Sequence, residues 1–74
     1  MYKIGQIVKF DEDGLNGLGV IVKFGVHDGI HLVKLLGDLQ GQGHDGGYEP
    51  RSRDYWWISD WYIEYGLDGN KVVR

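Results

Sequence analysis

Thirteen glycines and a single proline punctuate a chain of 74 residues, and that spacing constrains the fold more than any other feature. A glycine at about every sixth position leaves no stretch free to run a long amphipathic helix, because each interior glycine costs roughly 1 kcal/mol relative to alanine. The segments between the glycines are short and rich in β-branched and aromatic residues, the composition of strands. With Tyr2, Ile4, Val8 and Phe10 on one face and Lys3 and Lys9 on the other, the first segment alternates with period two. "DEDGLNG" reads as a turn-rich connection, and "LGVIVKF" as a second strand that places Leu18, Val20, Val22 and Phe24 on one face. "GVHDG" is a turn and Ile30 to Leu36 a third strand. A glycine-rich loop then runs from Gly37 to Arg53, long enough to be a functional element or a segment that orders on binding. "DYWWIS" is the fourth strand, "SDWY" one helical turn capped by the side chain of Ser59 or Asp60, and "YIEY" the fifth strand. "GLDGN" then turns the chain toward "KVV", which either pairs as a hairpin or frays.

Five short strands with no long helix predict a single all-β domain over residues 1–74, either a small five-stranded barrel or a curled meander sheet. At this length only about 60% of the unfolded chain's surface is buried on folding, so the core is thin. There is no cysteine, which removes disulfides and thiolate metal sites as sources of stability and suits a reducing compartment. Large apolar side chains must hold the fold, and 14% of the residues are aromatic. Neither a cleavable leader nor a membrane-spanning run is visible, so the expected location is cytoplasmic, with no membrane partner.

The order "IGQIVKF … YWWI-SDWY-IEY" resembles the Src-homology-3-like small barrels, in which a strand, a short helical turn and a closing strand recur late in the chain. The glycine-rich loop before a Trp-Trp pair is similar to that of small phage and prophage proteins. "GLGVIVKF" carries a more distant likeness to the Mind bomb-type repeat. The resemblance implies a five-stranded SH3-like barrel with one short helical turn near the C-terminus, and a phage-encoded accessory or inhibitor acting on a host or defence protein. Two features depart from the peptide-binding members. The Ala-Leu-Tyr-Asp-Tyr-like stretch is missing, and Ile58 stands where a proline usually precedes the helical turn. Recognition of proline-rich ligands is therefore not implied.

Several chemical readings compete. His-Asp-Gly occurs twice, at His27-Asp28-Gly29 and His44-Asp45-Gly46. Asp-Gly is turn chemistry; the competing reading is a metal centre shared by His27, His31, His44 and Asp45. Ser52, His44 and Asp45 assemble a hydrolytic triad on paper only, without a strained nucleophile turn. Asp11 and Asp13 are solvated turn carboxylates, and "GLNGLG" lacks the Lys-Ser/Thr and helix of a phosphate loop. No catalytic residue, metal or cofactor is expected, and the chain is read as a non-enzyme.

Seven of the ten aromatics lie between Tyr48 and Tyr65, and this cluster is the candidate site. Tyr48, Tyr55, Trp56, Trp57, Trp61 and Tyr62, flanked by Arg51 and Arg53, are the residue types enriched where proteins grip one another. The expected function is binding of a protein partner through an exposed aromatic and arginine surface. Stacking of single-stranded nucleic acid on the same aromatics is an alternative, opposed by the net charge of −3. Homodimerisation through the aromatic face is a third reading.

Overall fold

The computed structural model describes residues 2–12, 14–69 and 71–73. The protein is all-β, as its glycine spacing predicts; among the described residues there are six antiparallel strands in one open sheet and only two short 3-10 turns as helix. The strands are β1 (Ile7–Glu12), β2 (Leu15–Phe24), β3 (Ile30–Leu35), β4 (Tyr55–Ser59), β5 (Ile63–Asp68) and β6 (Lys71–Val73). The 3-10 turns are Gly37–Leu39 and Asp60–Tyr62. Sheet order is β4-β3-β2-β1-β5-β6, and the terminal segment left open between hairpin and fraying is a hairpin strand, with Asp68 opposite Lys71.

Connectivity dictates the shape of the sheet. β4 and β5 are four strand positions apart, about 19 Å on a flat sheet at roughly 4.8 Å per strand. Yet only Asp60–Tyr62 joins them, and a 3-10 turn rises about 2 Å per residue. The sheet must therefore curl until its two flanks meet across the core. Ile58 of β4 accordingly shares one buried cluster with Val8 and Phe10 of β1, Ile21 of β2, Val33 and Leu35 of β3 and Ile63 of β5.

The β1–β2 connection is tighter than "DEDGLNG" suggests. Glu12 pairs with Leu15, leaving a two-residue turn in which Gly14 takes φ +86°, a conformation that glycine adopts without steric cost. Leu15, Asn16 and Gly17 belong to β2. The face of β2 also differs from the hydrophobic alternation: Leu15, Gly19 and Ile21 are buried, whereas Leu18 and Phe24 are exposed and Val20 and Val22 half-buried. Glycine explains the inversion. Positions 17 and 19 face inward without side chains, and Leu39 and Val33 occupy the space a Cβ would need. Apolarity alone therefore marked the wrong side. A bulge between Ile21 and Lys23 shifts the register before the strand ends.

In the first segment Val8 and Phe10 are fully buried as alternation predicts, but Ile4 is exposed. It precedes β1, where the chain turns through Gly5 at φ +89° and Gly5 N–H donates to Ile21 O at 2.7 Å.

The Gly37–Arg53 segment is built rather than structureless. Leu39 is buried on the core, Gly43 N–H donates to Arg53 O at 2.8 Å, and His44 and Tyr55 exchange two backbone hydrogen bonds of 2.9 Å. The segment thus covers part of the outer edge of β4, which would otherwise offer unpaired backbone groups to another chain. Gly46 lies so close over Leu32 and Tyr55 that an added Cβ would come within 2.7 Å of Leu32 Cδ1.

Candidate functional site

The aromatic cluster is divided between two places. Trp57, Trp61 and Tyr62 gather at one end of β4, where the Asp60–Tyr62 turn faces the β2–β3 turn. Tyr48, Arg51, Arg53, Tyr55 and Trp56 belong to the other end and the long segment beside it. Four strand steps, about 13 Å, separate Tyr55 from Ser59.

At the loop end the aromatics are largely spent on structure. Tyr55 is only 4% exposed, so it does not belong to the contact surface expected of it. Its ring lies 5.2 Å from that of Tyr48 and its Oη donates to Glu49 Oε1 at 3.3 Å. Trp56 is half-buried, packs on the core cluster and tilts against His44 at 5.2 Å. Both His-Asp-Gly copies are turns, with Gly29 at φ +80° and Gly46 at φ +65°. His44 Nδ1 accepts from Gly46 N–H, and Asp45 Oδ1 from Gly47 N–H. Arg51 and Arg53 are exposed and form no ion pair among the described residues. Arg51 holds φ +69°, the left-handed region that side chains rarely occupy.

Burial first, then the neighbouring Glu49 carboxylate and the hydrogen bond to it, raise the Tyr55 phenol above its ordinary value of 10.0. The folded state therefore holds this proton more tightly than the unfolded chain does. The resulting stability is complete below pH 10 and is lost as pH rises through the elevated native value. Tyr55→Phe is expected to cost about 1 kcal/mol near neutrality by deleting a hydrogen bond. It should also flatten the alkaline decline, so that its urea midpoint approaches that of the wild type as pH is raised above about 10. Parallel decline in both proteins would overturn this assignment.

The other end is a groove, and sequence reasoning missed most of its lining. Its centre is an open depression of about 460 Å³ between the β2–β3 turn and Asp60, with the rings of Tyr2, Phe24 and His31 on its walls. Two further depressions share its lining residues, one reaching Val26 and Trp57 and the other Ser59, Trp61 and Tyr62. Trp61 is 87% exposed and Val26 97%, so large apolar surface stands on both rims. The walls are tied together where Asp60 N–H donates to Gly29 O at 2.7 Å, and the β2–β3 turn is itself closed by Gly25 N–H donating to Ile30 O at 2.8 Å. The turn at Asp60 has no side-chain cap, contrary to the expectation for Ser59 or Asp60; the Asp60 carboxylate is engaged by His31 Nε2 instead.

His31 is the least expected member. It is 6% exposed, lies edge-on to Phe24 and Tyr2, and its Nδ1 is buried with no hydrogen-bond partner among the described residues. Asp28 also lines the groove and makes no hydrogen bond or ion pair among those residues. The arginines expected to flank the tryptophans are thus elsewhere, and two carboxylates take their place. His27 and His31 sit at this groove while His44 and Asp45 lie in the long segment. Among the described residues no group of three or more histidine, aspartate or glutamate side chains is placed to hold a metal ion, and no helix is long and apolar enough to cross a membrane.

No protein-family model matches the chain, and neither does any curated protein or any solved structure.

Proposed function

We propose that this protein is a non-catalytic binding module that grips a segment of a partner protein in the groove between the β2–β3 turn and the Asp60–Tyr62 turn. The observation that carries this reading is the exposed indole of Trp61 (87%) on the rim of a groove whose two walls are hydrogen-bonded to each other. Exposed aromatic surface of this kind is characteristic of protein contacts, and a groove fixed before binding loses little entropy on association. The carboxylates of Asp28 and Asp60 favour a protein over a single-stranded nucleic acid, whose phosphates they would repel. The His31–Asp60 pair has two members of a hydrolytic triad, but no serine hydroxyl is hydrogen-bonded to His31 among the described residues. The run β4, 3-10 turn, β5, with β5 beside β1, supports the SH3-like reading of the fold. The phage-encoded accessory or inhibitor role rests on the resemblance in sequence.

Selection of a random-peptide display library on the immobilised protein, followed by titration of the recovered peptides, tests the reading. Trp61→Ala is expected to weaken those peptides by at least about 30-fold, the scale of an interface hot spot. The substitution should leave the urea midpoint nearly unchanged, because the side chain is exposed. Equal affinity for Trp61→Ala, or binding of oligothymidylate that weakens steeply with salt in place of peptide, would overturn it. Sedimentation equilibrium of both proteins separates hetero-binding from dimerisation through the same aromatics.

A further inference from the structure

The centre of the groove is chemically different from its rims. We infer that it accepts a single cationic side chain of the partner, a guanidinium or ammonium group held by Asp60 and Asp28, with apolar residues on either side resting against Trp61 and Tyr62 and against Val26 and Trp57. The inference rests on the protein-binding reading and assigns the chemistry of the partner.

Three observations converge. First, one oxygen of Asp60 is bound by His31, and the other has no hydrogen-bond partner among the described residues. The Asp60 side chain keeps 52% of its surface exposed, so a ligand can reach the carboxylate. Second, Asp28 contributes another carboxylate to the same depression and has no cation of its own. The lysine of the groove, Lys23, lies in the Val26–Trp57 part and not at the centre. Third, His31 is more than nine-tenths buried and lines the depression, with its Nδ1 unpartnered. In the neutral ring, Nε2 donates to Asp60 and Nδ1 is an acceptor left without a donor, an unfavourable state for a buried group. Each of these groups accepts hydrogen bonds or carries negative charge, so the complementary ligand is a donor bearing positive charge. Phe24 and Tyr2 supply aromatic walls, against which a guanidinium or ammonium is favourably placed.

The test uses the intact protein and short blocked peptides with apolar flanks, identical except for arginine, lysine, citrulline or glutamate at the centre. Binding is followed by amide and indole chemical shifts. The arginine peptide should shift Gly29, Ile30, Asp60 and the Trp61 indole and bind at least tenfold more tightly than its citrulline twin, which has the same shape without the charge. Asp28→Asn and Asp60→Asn should each reduce the affinity for arginine several-fold while leaving citrulline unaffected. Because Asp60→Asn also alters the partner of His31, Asp28→Asn provides the cleaner variant. Equal binding of the arginine and citrulline peptides in the groove would overturn the cation site and leave the protein-binding reading standing. An arginine preference that survives both substitutions, or shifts confined to the loop end, would overturn it as well. Loss of all groove binding in Trp61→Ala, with the arginine preference intact in the wild type, would uphold both.

Discussion

Gly43→Ala is expected to lower stability by more than about 3 kcal/mol, enough to leave a domain of this size largely unfolded. A Cβ at this position would stand 2.2 Å from Tyr55 O and 2.9 Å from Leu35 Cδ1. The first of these is backbone, held in register by the His44–Tyr55 hydrogen bonds, so it has no rotamer by which to retreat. Relief requires the long segment to lift from β4, which uncovers Leu32 and Tyr55 together. Gly47→Ala is the comparison. It has open space around it but φ +68°, and should cost only the left-handed strain of about 1–2 kcal/mol. Urea denaturation followed by tryptophan emission and circular dichroism measures both. A Gly43→Ala protein as stable as Gly47→Ala would mean that the segment does not sit against β4.

Phe10→Ala should be comparably severe, at about 3–5 kcal/mol. Phe10 is fully buried on β1, the strand paired on one side with β2 and on the other with β5. Its ring therefore fills the middle of the curl, with no helix layer behind it to collapse into the gap. In a domain whose single core supplies only about 3–5 kcal/mol of net stability, this removes most of it. Phe24→Ala, by contrast, should change stability little, because Phe24 is exposed on the groove. The amide dispersion of the two variants at 25 °C separates the outcomes: collapsed for Phe10→Ala, native for Phe24→Ala. The opposite pattern would return β2 to the phase that its hydrophobic alternation suggests.

That pair of residues shows how far the chain could be read in advance. Val8 and Phe10 lie inside because β1 carries them on one face and Lys9 and Asp11 on the other, and the apolar face wins. β2 reads wrongly because Gly17 and Gly19 occupy inward positions with nothing to contribute to an apolar pattern. The helical turn at "SDWY" was legible from its local chemistry. Its role as the bridge across a curled sheet was not, since that follows from the long-range pairing of β1 with β5. Site residues followed the same rule. Trp57, Trp61 and Tyr62 are marked by residue type alone. Asp28, Asp60 and His31 acquire meaning only when the β2–β3 turn is brought against the 3-10 turn, two segments about 30 positions apart in the sequence. Arg51 and Arg53, neighbours of the tryptophans along the chain, are separated from Trp61 by the length of β4.

The three-residue bridge between β4 and β5 also sets when the groove comes into existence. The β2–β3 hairpin, whose turn forms one wall, closes locally, an event of microseconds. Lys9 and Glu64, which meet across β1 and β5, are 55 positions apart, and pairings of such high contact order form late and slowly. One wall of the groove thus belongs to an early local hairpin; the other, the Asp60–Tyr62 turn, is held at one end by β4 pairing with β3 and at the other by β5, whose pairing with β1 closes late. Competence to bind and completion of the fold are consequently the same step. A ligand that spans both walls acts on the global unfolding equilibrium, adding RT ln(1 + [L]/Kd) to the stability of the whole domain rather than stiffening a loop.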